Sequence, residues 1–299
     1  MDDDYDYEKL KKAGTVTQEA IEYAKTVVKE GASLLDAASK VEEFIKSKGC
    51  KPSFPVNVSR NAEAAHYTPE ANEEKVFGKD LVKMDIGARV DEYLGDGAVT
   101  IDLSGQNGKM VECSEKALDA ALATVKAGRQ VREIGREIER VVTQYGFKPI
   151  RNLGGHWIER EELHAGIFIP NYDDGNDAVL EEGAVIAIEP FVTAGDAEGY
   201  VVDGEAVQIF QKIGSSGIRT AETREISDFI DASYMTYPFA MRWLSAKFGE
   251  FRVRRALQEM MAAGILETFP VLVEKSGKAV AQAEKELIVE KGSCTIVTK

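Results

Sequence analysis

The chain has 299 residues, 44% of them hydrophobic and 29% charged, the balance of a soluble globular protein with a substantial core and room for one large domain or two ordinary ones. A formal net charge of −14 and a pI near 4.9 argue against unassisted binding to nucleic acid or an anionic membrane, and no apolar run is long enough to span a bilayer. The start, MDDDYDYEKL, lacks the positive charge and apolar run of a signal peptide. Cys50, Cys113 and Cys294 form no CxxC, so a cytosolic protein with reduced thiols is expected.

Val16 to Lys29 predicts a first helix closed by Gly31. Leu34 to Lys48 predicts a second, with Ser33 as N-cap, Gly49 past its end, and Leu34, Ala38, Val41 and Ile45 as its apolar stripe. FPVNV (54–58) reads as a short strand and NAEAAHYTPE as a polar loop carrying His66. The stretch LVKMDIGARVDEYLGDGAVTIDL (81–103) then alternates twice, with Val82, Met84 and Ile86 on one face of its first run and Val99, Ile101 and Leu103 aligned in its second. A hairpin turning at Val90–Asp91 sets Asp85 directly opposite Asp96, where like charges repel, and Gly87, Gly95 and Gly97 weaken the strands beside them. Two readings stand at this point: a pair of solvated aspartates on an exposed hairpin, or a cation held between two carboxylates at a functional site.

The pattern repeats. Ser114 caps a helix to Lys126, Gly128 breaks it, and Val131 to Tyr145 forms another that ends at Gly146. Shifting the first pair by 97 positions lays Ala20, Ala24, Gly31, Glu42, Gly49 and Pro52 on Ala117, Ala121, Gly128, Glu139, Gly146 and Pro149 without a gap. A duplicated helix-helix-strand unit predicts an α+β fold of two similar halves around a shared antiparallel sheet.

NLGGHWIEREELHAGIFIPN follows, a glycine-bearing strand-and-loop region with His156 and His164. AVIAIEPFVT (184–193) reads as one strand with Glu189 inside it. That glutamate is either a strand-end residue facing water or a buried carboxylate that is paired or holds a metal. Between residues 218 and 278 three short helices are expected, near Glu225–Ala232, Pro238–Phe248 and Phe251–Ala263. ETFPVLV, a turn at Ser276–Gly277 and AVAQAEKELIVEK complete the outline of a winged helix. Arg252, Arg254 and Arg255 would suit a nucleic-acid reader, but this segment holds about as many acids as bases, which favours a structural insert. The last strands, with Glu284 on the first, return to the main sheet.

All three histidines lie in polar or glycine-bearing stretches beside these carboxylates. Two aspartates eleven residues apart, one histidine and two glutamates make a five-ligand inventory of oxygen and nitrogen, suited to two adjacent divalent cations such as cobalt, manganese, iron or zinc. The chemistry such a pair supports is hydrolysis of a carbonyl substrate.

FPVNV, AAHYTPE, KMDIGARVDEYLGDGAVT, NLGGHWIE, LHAG, IPN, AIEPF and AQAEKELIVEK run in order from about Lys9 to the C-terminus. On these segments the sequence resembles the type II methionine aminopeptidases of the M24 metallopeptidases, in particular their short archaeal form. The resemblance implies the pita-bread fold, a catalytic domain of residues 1–217 and 279–299, and a winged-helix-like insert at 218–278. It implies that Asp85 holds one metal, that Asp96 and Glu284 bridge both, and that His156 and Glu189 complete the second site, with Glu189 also moving protons. His66 and His164 would hydrogen-bond the scissile peptide and the oxyanion, and Phe54, Leu163 and Phe269 would line the methionine pocket.

The 95 residues between Glu189 and Glu284 accommodate the insert that type I enzymes lack. Prolidase and aminopeptidase P share the five ligands but carry a large N-terminal domain, for which the residues before Asp85 leave no room. Two departures stand out: Phe269 where the family often has tyrosine, and Lys285 where many members have histidine. The function implied is a cytoplasmic, monomeric aminopeptidase that removes the N-terminal methionine of nascent polypeptides ahead of a small second residue. A transient ribosome contact, no specific nucleic acid and no membrane are the implied partners. The alternatives are an X-Pro-cleaving peptidase of the same fold and a non-catalytic, interaction or RNA-associated member, although such members typically lose ligands and this chain keeps all five.

Overall fold

The computed structural model describes residues 5–299; the acidic start at residues 1–4 lies outside them. Asp6 caps α1 (Tyr7–Val27) by accepting from the amides of Glu8 and Lys9. The expected start at Val16 is therefore corrected. The helix runs through the polar stretch before it, and Gly14 is tolerated inside because a Cβ there would come within 2.6 Å of the Val297 carbonyl oxygen. α2 (Leu34–Ser47) starts at its Ser33 cap as expected, and Leu34, Ala38, Val41 and Ile45 are all buried.

α3 (Gly108–Thr124) and α4 (Val131–Gln144) repeat this pair. Leu34 and Val131 begin, and Ser47 and Gln144 end, 97 positions apart, and so do the helix ends Val27 and Thr124. The matched glycines Gly31, Gly49, Gly128 and Gly146 all have φ between 73° and 82°, the left-handed region that closes a helix. Ser114, expected as a cap, lies inside α3, where its hydroxyl donates to the Val111 carbonyl. Asp102 organises the approach instead, its carboxylate gathering the amides of Ser104, Gly105 and Asn107. Each helix pair buries its apolar face on the strands of its own half: Leu34 and Val41 share one cluster with Val58, Val82 and Met84, and Ile134 and Ile138 another with Ile186, Ile188 and Leu287.

The strand Leu81–Ile86 pairs with Asn57–Arg60 on one side and Gly97–Asp102 on the other. Asp85 lies opposite Ala98, and Val90 opposite Tyr93, so the hairpin turns at Asp91–Glu92 rather than Val90–Asp91. Asp91 takes a φ of 53° there, which aspartate tolerates better than most residues. Asp85 and Asp96 are therefore diagonal neighbours, not direct opposites, and a slip of two residues leaves both on the same face.

The single strand expected over residues 184–193 is two. Val185–Ile188 pairs with Lys285–Val289, while Phe191–Ala194 pairs with Val280–Gln282 in a different sheet. Pro190, which has no amide for a ladder, lies at the break. Because Ile188 faces Lys285 and Phe191 faces Gln282, Glu189 and Glu284 share one register line in the gap between the sheets. The Glu284 amide donates to the Ala98 carbonyl at 3.2 Å, which brings this gap against the break at Gly95–Asp96.

α5 (Ala221–Ser233), α6 (Met241–Phe248) and α7 (Glu250–Ala262) form the three expected helices around their own apolar cluster, which includes Ile226, Leu244, Val253 and Leu257. The hairpin of a winged helix does not follow them. Leu266–Glu274 pairs with Val201–Lys212, which precedes the helices, and with Glu63–Ala65 in the segment expected as loop. The ladder partner was already supplied from upstream. Among the described residues no helix is long and apolar enough to cross a membrane.

Candidate metal centre

All ten side chains singled out from the sequence line one cavity of about 410 Å³. Asp85 comes from the Leu81–Ile86 strand, Asp96 from the break after Leu94, His156 from Gly154–Glu159, and Glu189 and Glu284 from the gap between sheets. Ligand atoms of Asp96, His156 and Glu284 lie within 4.8 Å of one another. Close backbone packing makes this possible: a Cβ on Gly87 would meet the Gly95 carbonyl oxygen at 2.6 Å.

His156 Nδ1 lies 3.1 Å from the Trp157 carbonyl oxygen. A carbonyl only accepts, so Nδ1 carries the proton and Nε2 presents a lone pair to Asp96 Oδ2 at 3.4 Å and Glu189 Oε1 at 3.9 Å. The cluster is thus acceptor against acceptor. Gln282 Nε2 donates into it, reaching Glu189 Oε2 at 3.2 Å and Glu284 Oε2 at 3.5 Å. Among the described residues Asp85 Oδ1 is buried without a hydrogen-bond partner, and no lysine or arginine lines the cavity. Burial, then the charge of Asp96, holds the Asp85 carboxyl well above its ordinary range. Glu189 is raised by burial and by Asp85 and Asp96, and Glu284 by burial, Asp96, Glu189 and Asp85. Carboxylate oxygens and one imidazole nitrogen, partly unpartnered and mutually repelling, are a donor set that fits borderline divalent cations.

The other two histidines sit across the cavity. His66 adopts a φ of 66°, and its Nδ1 donates to the Pro270 carbonyl at 3.3 Å. Its ring meets the Phe269 ring edge-on at 5.6 Å between centroids. Burial pushes its pKa down to about 4. The His164 ring stands 4.5 Å from that of His156. It opens onto the cavity space but is walled by protein, and burial followed by the charges of His156 and His66 pushes its pKa down to about 3. Phe54 and Leu163 are buried beside them, with Ile209, Phe191 and Pro238 adding apolar wall that the sequence reading did not name.

Sequence reasoning also missed Gln282 and Glu286. Glu286 is fully buried, its Oε2 accepts the Asp96 amide at 3.1 Å, its Oε1 has no partner among the described residues, and burial with the nearby Asp96 charge raises its pKa. The signal was present: Gln282, Glu284 and Glu286 alternate in AQAEKELIV and share one face. Lys285 points the other way, its ammonium donating to Gln18 Oε1 and the Thr298 carbonyl, so that departure leaves the cluster untouched.

The family model described as metallopeptidase family M24 matches residues 8–228. The chain is similar to a methionine aminopeptidase of Archaeoglobus fulgidus, 42% identical over 300 residues that cover both chains entirely. Among solved structures it resembles the methionine aminopeptidase of Thermotoga maritima, with TM-score 0.70, 26% identity, and 98% of this chain and 96% of that one covered. A thermophilic Arx1 superposes with TM-score 0.85 at 17% identity over 97% and 89% of the two chains, a likeness of fold alone.

Proposed function

The chain belongs to metallopeptidase family M24, and from that premise we propose that it is a methionine aminopeptidase, a hydrolase that removes the N-terminal methionine of polypeptides. The fold is the pita-bread fold of the family, and the family uses divalent metal. The observation that carries the reading is that an acid-and-imidazole cluster and an apolar wall share one cavity.

Two divalent ions (cobalt, manganese, iron or zinc) fit the centre. Asp85 would hold one, Asp96 and Glu284 both, and His156 with Glu189 the second. When bound they supply a water of lowered pKa and a polarised scissile carbonyl. Glu189 would take up and return a proton at its Oε atoms. His66 and His164 are neutral at pH 7, with pKa values pushed down to about 4 and 3; His66, its one N–H given to Pro270, offers its other ring nitrogen as acceptor to the scissile peptide N–H, and His164 meets the oxyanion as a hydrogen-bond donor without carrying charge. Phe54, Leu163 and Phe269 take the unbranched, polarisable methionine side chain. Residues 218–278 form a wall of the cleft. The protein acts as a cytoplasmic monomer on nascent chains, with a transient ribosome contact and no specific nucleic acid.

Peptide cleavage tests this. The metal-loaded protein should release methionine from Met-Gly and Met-Ala peptides, act poorly on Met-Lys and Met-Phe, and spare formyl-Met peptides. Arg-Pro and Ala-Pro peptides should be inert; efficient release of any residue ahead of proline makes it an X-Pro peptidase instead.

A further inference from the structure

Arg242, the second residue of α6, is buried, and so is Glu42 on α2, exactly two hundred positions away in neither helix's neighbourhood by sequence but in contact in space. The guanidinium donates to Glu42 Oε1, to Thr68 Oγ1, and to the Pro69 carbonyl at 3.4 Å. Glu42 accepts further from the Trp243 indole N–H at 2.8 Å and the Val56 amide at 3.3 Å. The Thr68 hydroxyl in turn donates to the Val56 carbonyl at 2.8 Å. Both polar groups of Val56 and the side chain of Thr68 therefore close on one ion pair.

Val56 lies two residues after Phe54, and Thr68 two residues after His66, and both Phe54 and His66 line the cavity. His66 is held in left-handed backbone geometry, which a residue with a Cβ keeps only where its surroundings over-determine it. The segment after it is fastened again, since Glu70 accepts from Gln208 at 2.7 Å and from Arg254 at 3.3 Å. Gln208, Arg242 and Arg254 all come from the Val201–Ala262 part of the chain.

We propose that Arg242 is a positioning residue, which through its buried pair with Glu42 sets His66 and Phe54 at the cavity wall for the reaction. This rests on the methionine aminopeptidase reading. It gives the insert a second task besides walling the cleft. A guanidinium fork suits the site because its two terminal nitrogens, set apart in one rigid plane, divide between Glu42 on one side and Thr68 and Pro69 on the other, a spread that the single nitrogen of an ammonium does not have.

The test uses the full-length, cobalt-loaded protein, a Met-Ala-Ser peptide and nitrogen-15 histidine spectra, which hold three imidazoles and are assigned with His66→Ala. The double variant Glu42→Leu/Arg242→Met removes both charges together, so neither is left buried alone. It should melt near the unaltered protein and keep its metal, yet lose about 10- to 100-fold in kcat, with a smaller rise in KM and displaced His66 signals. Thr68→Val keeps the ion pair and the Pro69 contact but removes the hydroxyl that joins the guanidinium to the His66 segment and to the Val56 carbonyl, and should cost about 10-fold in kcat with the same signals displaced. A folded double variant with unaltered kcat and unaltered His66 signals overturns the proposal; if the double variant does not fold, Thr68→Val decides by the same two readouts. Should the unaltered protein release no methionine, the function reading fails, and the His66 signals of the variants alone decide whether Arg242 positions that residue.

Discussion

Glu42 and Glu284 are both carboxylates buried to within a few per cent, at 4% and 2% exposure, and their surroundings are opposite in kind. Glu42 meets a guanidinium, an indole N–H and a backbone amide, so its charge is answered inside the chain. Glu284 meets Asp96, Glu189 and Asp85, and the donor it has is one long amide contact from Gln282. Desolvating a charge is costly in both places. The first cluster repays the cost with its own side chains and is a joint; the second repels itself and is complementary to cations. Burial of acids therefore says little until the sign of their neighbours is known.

Four experiments sharpen or break that contrast. Asp96→Ala and Glu284→Ala should each lower methionine release by more than about 1,000-fold under limiting metal, as expected for transition-state interactions worth about 4 kcal/mol. The chelated variants should melt no lower than the chelated parent, because each removes a mutually repelling charge. Near-normal turnover by either one breaks the contrast. Glu42→Gln should instead destabilise the fold by about 3–5 kcal/mol in denaturant titrations, with or without metal, since it leaves a buried guanidinium unanswered. Divalent metal at about 100 times its dissociation constant should stabilise the parent by about 2.7 kcal/mol. Glu42→Gln should keep that increment and Glu284→Ala should lose it, as read by calorimetry.

The smallest effect concerns an exposed acid with a full set of donors. Glu259 accepts from the Thr223 hydroxyl, the Arg219 amide and the hydroxyl and amide of Thr220, which hold its pKa at about 2. A folded pKa below the unfolded one means that the stabilisation is present above about pH 4.5 and is lost as pH falls through about 2. The melting-temperature gap between the parent and Glu259→Gln should close over that window and should not respond to metal.

The cavity was legible because Glu189 interrupts an apolar run and because Asp85 and Asp96 share one face of a hairpin where like charges repel. The halves were legible because left-handed glycines mark helix ends, and Gly31, Gly49, Gly128 and Gly146 keep one offset. What stayed hidden depends on partners distant in sequence. The start of α1 is fixed by Asp6 and by Val297 packing on Gly14, and Glu42 gives no local sign of Arg242. Strand breaks at Glu189 and Glu284 come from two strands changing sheets together, which neither segment reveals alone. The winged-helix outline failed for the same reason, since Leu266–Glu274 found its partner in a strand made before the helices.

The pairing of Lys285–Val289 with Val185–Ile188 has a consequence for how the centre is assembled. The centre joins Asp85 and Asp96 to Glu284 and to the Glu286 oxygen that receives the Asp96 amide from 190 residues away, and Val297 is likewise brought back against α1. Such long-range closure is slow and comes late. Until Lys285–Val289 pairs with Val185–Ile188 the chain holds half a centre, so metal capture waits on a long-range contact of the fold.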